Sequence, residues 1–128
     1  MRKIHVLALF LMGAVIALSG CSRNVPPDWY HVTGSGMAGD VQAPGQARLM
    51  AKRAAEADAN RQLLEAAKGV HITSNTTVED FMTKNDYIRS RVEGVIRGAQ
   101  VIDTRYNSDG TCEVDKRIDM NQVRNLVR

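Results

Sequence analysis

The side chains best suited to nucleophilic or metal chemistry are few and lie far apart in the sequence. Cys112 could act as a nucleophile only beside a base, and no strand pairing that the sequence allows brings His31 or His71 close to it. These two histidines, which are isolated from each other and are the only ones outside the first 20 residues, also fall short of the closely spaced ligands that a zinc site needs. We therefore expect no catalytic residue, no metal and no enzymatic activity. Cys112 is predicted to be a small apolar side chain on the core face of a strand, with an intersubunit disulfide as the alternative.

The letters of a dinucleotide-binding motif, G-x-G-x-x-G, occur at Gly34, Gly36 and Gly39. In nucleotide-binding proteins the last glycine opens a helix whose N-terminus meets the pyrophosphate. Here residues 40–45, with a proline among them, intervene. A chain of roughly a hundred residues also cannot supply the remaining strands of such a fold. The pattern therefore excludes a nucleotide site and predicts a flexible loop over residues 34–45.

Two sets of charged residues are candidates for a structural or a catalytic role. Asp58 interrupts an alanine-rich helical face, with Asn60 beside it and Arg61 one turn later. Asp58 and Arg61 form either an ordinary surface ion pair or a partly buried structural pair that fixes the position of the helix or of a contact between subunits. Glu79 and Asp80 are adjacent, so their side chains point in different directions. We expect no acid–base chemistry from them.

The first 20 residues have the anatomy of a signal peptide. A basic start at Arg2 and Lys3 precedes a 13-residue apolar run from Val6 to Leu18, followed by small residues. This run is shorter than the roughly 20 apolar residues that a permanent membrane helix needs. We expect residues 1–20 to be removed.

The four residues Leu18, Ser19, Gly20 and Cys21 resemble a bacterial lipobox. The resemblance implies that Cys21 becomes the first residue of a lipoprotein, carrying a covalent diacylglycerol and an N-acyl chain and no other cofactor. Several acyl chains anchor a protein stably, where one chain does not. Ser22, where some lipoproteins have Asp, implies sorting to the outer membrane, with the domain on the periplasmic face.

The charge balance argues against nucleic-acid binding. The full chain of 128 residues has 17 basic and 14 acidic side chains, and loss of Arg2 and Lys3 leaves 15 basic residues. A net charge near +1 cannot provide the concentrated basic face that phosphate backbones require. The predicted organisation is a signal peptide over residues 1–20, a lipidated tether over 21–28 and one domain over 29–128.

Two long helices are predicted from composition and periodicity, with a third, short one at residues 120–128. Residues 46–68 lack Gly and Pro and are rich in strong helix formers, with Gly69 as the C-cap. One face of this helix is apolar and mostly small: Ala47, Met50, Ala51, Ala54, Ala55, Ala59, Leu63 and Ala66. A second helix is predicted from Asn85 or Asp86 to Arg97, and a short helix over residues 120–128.

Strands are predicted over residues 29–33 and 70–78 and in a hairpin over 99–119. In the hairpin, Gly110 suits a left-handed turn position. Its predicted pairs are Tyr106 with Cys112, Thr104 with Val114 and Ile102 with Lys116. The predicted core face is Ile102, Tyr106, Cys112, Val114 and Ile118, and the opposite face carries Asp103, Arg105, Glu113, Asp115 and Arg117.

The order of these elements behind a lipobox resembles the small outer-membrane lipoproteins typified by flagellar assembly lipoprotein P. The similarity runs from Ala47 to Ile118 and is carried by residues 53–65, 69–70, 76–78, 92–99 and 109–110. It implies an α+β domain with two helices packed on one face of a small antiparallel sheet.

The same resemblance implies a non-enzymatic, self-assembling subunit of a flagellar ring or basal disk. The expected partners are the outer membrane, other copies of the chain and other flagellar ring proteins, with no nucleic acid. The alternative is a surface-exposed envelope binding module, an antigen or adhesin, built on the same domain.

Overall fold

Residues 25–128 are described by a computed structural model, and their helices and strands follow one another along the chain in alternating groups. The elements are β1 (Trp29–Met37), α1 (Pro44–Lys68), β2 (His71–Thr73), β3 (Thr76–Thr77), α2 (Val78–Lys84), α3 (Asp86–Arg97), β4 (Gln100–Tyr106), β5 (Thr111–Asp119) and α4 (Met120–Asn125).

The main sheet has three antiparallel strands in the order β1-β5-β4, so the last strand of the hairpin is central. Its long partner β1 pairs with it from Trp29 opposite Asp119 to Met37 opposite Thr111. The predicted α+β class with a small antiparallel sheet is confirmed. The predicted loop is wrong for residues 34–37, which continue β1 instead of leaving the sheet.

Helix α1 lies along β1 and β5 on one face of the sheet. It begins at Pro44, two residues before the predicted start, because proline is well suited to the first turn of a helix. Every fourth residue is buried against the sheet or core: Ala51, Ala55, Ala59, Leu63 and Ala67. The predicted apolar face is confirmed at Ala51, Ala55, Ala59 and Leu63, whereas Met50 is exposed.

The segment after α1 differs from its prediction. The expected strand over residues 70–78 is a two-stranded hairpin of β2 and β3 followed directly by α2. Thr77 and Asp80 form a capping box in which the Thr77 N–H donates to the Asp80 carboxylate at 2.7 Å. This cap starts a helix within a β-branched run. Helix α3 begins at Asp86, as predicted, with Asn85 as its cap.

The β4–β5 hairpin keeps the predicted register near its turn and departs from it farther away. Tyr106 pairs with Cys112 and Thr104 with Val114, and Gly110 has φ of +85°. Beyond Asp103 a β-bulge places Val101, rather than Ile102, opposite Lys116. The extra residue turns Ile102 out of the predicted core face, and its side chain is exposed. Tyr106 keeps its predicted pairing, but it is 42% exposed and lies outside the core clusters, so its predicted core position is wrong.

The core lies between α1, the shorter helices and the covered face of the sheet. Its larger cluster includes Leu63, Val78, Val92, Ile96, Ile118 and Val123. A smaller cluster under the first half of α1 contains Ala51, Ala55, Cys112 and Val114.

Candidate functional site

Cys112 and the two histidines lie apart in the structure. Cys112 is fully buried on the α1 face of β5, while His31 lies on β1 and His71 on the small hairpin. Burial raises the pKa of the Cys112 thiol above its ordinary value, so the thiol is protonated at neutral pH. The predicted core position of Cys112 is confirmed. Because its sulfur is inaccessible, an intersubunit disulfide would require the domain to open.

The glycines of the G-x-G-x-x-G pattern let α1 approach the sheet. A Cβ atom at Gly34 would lie 2.7 Å from the Ala59 Cβ, and one at Gly36 would lie 2.6 Å from the Ala54 Cβ. Real Cβ atoms do not come this close, so only glycine fits under the helix at these two positions. Gly39 has no neighbour within 4 Å. Two of the three glycines therefore shape the helix–sheet contact.

The side chain of Asp58 joins α1 to the outer edge of β1. Its carboxylate accepts hydrogen bonds from the Arg61 guanidinium at 2.7 Å, the Gln62 amide at 2.8 Å and the Ser35 N–H at 3.2 Å. Gln62 also donates to the Thr33 carbonyl at 3.0 Å. Chiefly through the Arg61 bond, these donors hold the pKa of Asp58 below its ordinary value. The predicted pair of Asp58 and Arg61 thus forms, but Arg61 is 67% exposed and bonds to Asp58 rather than to β1. Asp58 and Gln62 make the bonds that join the helix to the strand.

The role of Gln62 was not predicted from the sequence, although Gln62 lies four residues after Asp58 and so on the same side of the helix. Together, Asp58 and Gln62 bind backbone groups that β1 turns away from β5. At Thr33 and Ser35, the free edge of β1 is therefore occupied by side chains of the same chain.

Lys116 is a buried charged residue that the sequence reasoning left unassigned. It is 4% exposed under α1, where its ammonium group donates to Asn60 Oδ1 at 2.7 Å. Burial lowers the pKa of Lys116 from its ordinary value. The alternation of core-facing and outward-facing residues along β5 predicts its burial, because Lys116 lies between Val114 and Ile118 on the core face.

The face of the sheet away from α1 carries a charged network centred on Arg105. Its guanidinium contacts Asp115 at 2.6 Å, Asp103 at 2.9 Å and Glu113 at 3.2 Å. Hydrogen bonds to these carboxylates, with Asp115 first, raise the pKa of Arg105. The predicted opposite face is therefore confirmed as polar, and the acids there are engaged with a cation.

The outer edge of β4 has no strand beside it among residues 25–128. Val101, Ile102 and Tyr106 of this strand are each more than two-fifths exposed. A long edge strand with exposed apolar side chains can accept another strand. The two edges of the sheet thus differ in what occupies them: side chains of α1 bind the β1 edge, whereas on β4 the Thr104 N–H donates to the Asp103 carboxylate of its own strand at 2.8 Å.

The predicted lipidation and sorting residues, Leu18, Ser19, Gly20, Cys21 and Ser22, lie outside the described residues. Within residues 25–128, no helix is long and apolar enough to cross a membrane. No three metal-ligating side chains cluster in this part of the chain.

A small α+β domain behind a lipobox-like sequence defines the class of small lipoproteins. The LPP20 lipoprotein family profile matches residues 26–115, and the chain belongs to this family. Comparison with curated proteins and with solved structures gives no significant match. The family match supports the predicted small lipoprotein, and it says nothing of a flagellar member.

Proposed function

We propose that this protein is anchored by lipid on Cys21 in the outer membrane, facing the periplasm, and acts as a self-assembling structural subunit that supports flagellar assembly and motility. Membership of a lipoprotein family supports the anchor, and so does the lipobox resemblance of Leu18 to Cys21. The flagellar role comes from the resemblance to flagellar assembly lipoprotein P. Its other expected partners are flagellar ring proteins.

The open edge of β4 is the observation that carries self-assembly. The Asn107 N–H donates to the Thr111 carbonyl at 2.9 Å, so Asn107 is a hydrogen-bonded position of the hairpin. Antiparallel strands alternate in the direction of their backbone groups. Thr104 and Tyr106 therefore turn their N–H and C=O groups away from β5. The Thr104 N–H donates to the Asp103 carboxylate at 2.8 Å, so a second copy that pairs with this edge must displace that bond.

Charge selects one register for two β4 strands that pair antiparallel about a two-fold axis. With Thr104 opposite Thr104, Asp103 of one copy faces Arg105 of the other on both sides of the axis. Moving the axis by one residue would place Asp103 opposite Asp103 or Arg105 opposite Arg105, and like charges directly opposite are destabilising.

Thr104→Cys is expected to form a disulfide-linked dimer on membranes under mild oxidation. Hydrogen-bonded antiparallel positions have Cα atoms about 5.5 Å apart, within the range of a disulfide. Nonreducing electrophoresis of membranes measures the dimer. Ser108→Cys, on the exposed turn, controls for random collision, and the wild type controls for the buried Cys112.

The anchor should matter for this dimer. Confinement to a membrane raises effective concentration, so adding Cys21→Ser to Thr104→Cys should reduce the dimer on the order of tenfold or more at equal protein amount. Equal crosslinking at positions 104 and 108 would contradict pairing through β4.

Deletion of the gene is expected to impair swimming while leaving growth unchanged, because a structural subunit supports the motor without catalysing a reaction. Swimming speed and flagellar number measure this effect, and complementation with the wild-type gene is the control. Normal swimming would contradict the flagellar role and favour the alternative, a surface-exposed envelope binding module.

A further inference from the structure

The residues just before β1 are bonded to the body of the domain, although the sequence assigned them to a tether. The Pro26 carbonyl accepts a hydrogen bond from the Asn121 amide at 2.9 Å. The Asp28 N–H donates to the Asp119 carboxylate at 2.9 Å, and the Asp28 carbonyl accepts from the Met120 N–H at 2.8 Å. Pro26 and Asp28 are therefore held against the start of α4.

An ion pair strengthens this attachment. Arg124 lies 2.7 Å from the Asp28 carboxylate, and the same guanidinium contacts Asn121 at 3.1 Å. The fixed part of the chain thus begins at about Pro26. Only the residues between Cys21 and Pro26 remain to separate an anchored cysteine from the domain.

This separation is short compared with the thickness of a lipid headgroup layer. Five residues, from Cys21 to Pro26, span at most about 17 Å when fully extended. The headgroup region of one leaflet takes up about 5–7 Å of that distance. The end of the domain that carries Pro26 therefore lies within about 10 Å of the lipid surface.

That end of the domain presents aromatic and basic groups. Trp29 is 43% exposed, and the Arg117 guanidinium lies 4.4 Å from the centre of its ring. Val25 is also exposed there. Tyr30 is exposed as well, but as the next residue of β1 it lies on the opposite face of the sheet from Trp29. The nearby acids are engaged, since Asp28 pairs with Arg124 and Asp119 caps α4 and binds the Asp28 N–H.

We propose that Val25, Trp29 and Arg117 form a membrane-contacting surface that rests in the phospholipid headgroup layer. Tryptophan favours the membrane interface because its ring is both apolar and polar. Arginine binds phosphate through several donors at once. The contact rests on the lipid anchor of the proposed function and extends it, since it orients the domain on the bilayer.

Trp29 is the only tryptophan of the chain, so intrinsic fluorescence reports its position directly. The test uses the purified lipidated protein in vesicles of phosphatidylethanolamine and phosphatidylglycerol, with or without brominated acyl chains. We expect brominated lipid to reduce the emission to about half and the emission maximum to lie at shorter wavelength than in the Cys21→Ser protein mixed with the same vesicles. Unchanged emission with brominated lipid would overturn the proposal.

Two variants test the short linker and the proposed membrane-contacting surface separately, and a third variant serves as a control. A Gly/Ser insertion of about 20 residues between Asn24 and Val25 keeps the anchor but gives a flexible span of about 25 Å, and it should remove most of the quenching. Arg117→Gln should weaken the quenching. Arg48→Gln, which removes a similar guanidinium 4.5 Å from the Tyr106 ring, should leave it unchanged. Quenching that is the same with both linkers would overturn the proposal.

Flotation of the vesicles distinguishes this proposal from the anchor itself. Protein that fails to float lacks the lipid on Cys21, which would contradict the proposed function. Protein that floats with unquenched Trp29 contradicts only the membrane-contacting surface.

Discussion

Ala55→Arg is expected to leave no stably folded domain. Ala55 is fully buried at the centre of the contact between α1 and β1, and its backbone lies directly over Gly34 and Gly36. A long charged side chain cannot fit there without separating the helix from the sheet. Burying its unpaired charge costs several kcal/mol, a large part of the roughly 5–15 kcal/mol that stabilises a domain.

Ala57→Arg is the matched control, because residue 57 is exposed on the same helix. The measurement is thermal unfolding of both full-length variants, followed by circular dichroism. The Ala57→Arg protein should melt within a few degrees of the wild type, since surface substitutions change stability by about 0.5 kcal/mol or less. A cooperative transition of Ala55→Arg at the wild-type temperature would show that α1 does not pack on β1 as described.

Gly36→Ala is expected to destabilise the domain strongly although it adds only one methyl group. The new Cβ atom would lie 2.6 Å from both the Ala51 carbonyl oxygen and the Ala54 Cβ. Backbone of α1 is the obstacle, so a side-chain rotation cannot relieve the clash. We expect a loss of about 1–3 kcal/mol, the usual cost of overpacking, or more.

Gly39→Ala provides the comparison, because a Cβ atom there meets nothing within 4 Å. It should be neutral or stabilise the domain by up to about 1 kcal/mol, by restricting the unfolded chain. Urea unfolding of the two variants gives the difference in free energy. Equal stability of the two would mean that Gly36 does not set the distance between helix and strand.

The alanine-rich face of α1 was predictable because it depends on the spacing of residues within one helix. The role of Gly34 and Gly36 was not, because the helix that requires them lies some 20 residues farther along the chain. Glycine in a short window favours a loop. Its place in a strand is decided by the pairing of Gly34 with Val114 and of Gly36 with Cys112.

The hairpin shows the same division between local and distant information. Its turn and first pairs follow from the residues around Gly110. The bulge at Ile102 shifts the register only after several pairs, and nothing in the alternation of β4 indicates it. Lys116 was predictable in position, whereas its partner Asn60 lies 56 residues away. The pair of Asp58 and Arg61 could be predicted from the spacing of the two residues on one helix. The hydrogen bond from the Ser35 N–H to Asp58 could not, because it depends on how the helix packs on β1.

The difference between the two sheet edges limits how the protein can polymerise. Asp58 and Gln62 occupy backbone groups of the β1 edge, whereas no strand among residues 25–128 covers the outer side of β4. If two copies pair through β4 as proposed, each would act, in the language of polymer chemistry, as a monofunctional monomer, because α1 side chains already bind Thr33 and Ser35 of the β1 edge. Strand addition would then stop at two chains, and a larger assembly such as a ring would need a second kind of contact. Such a subunit would associate without the unlimited extension that leads to fibres.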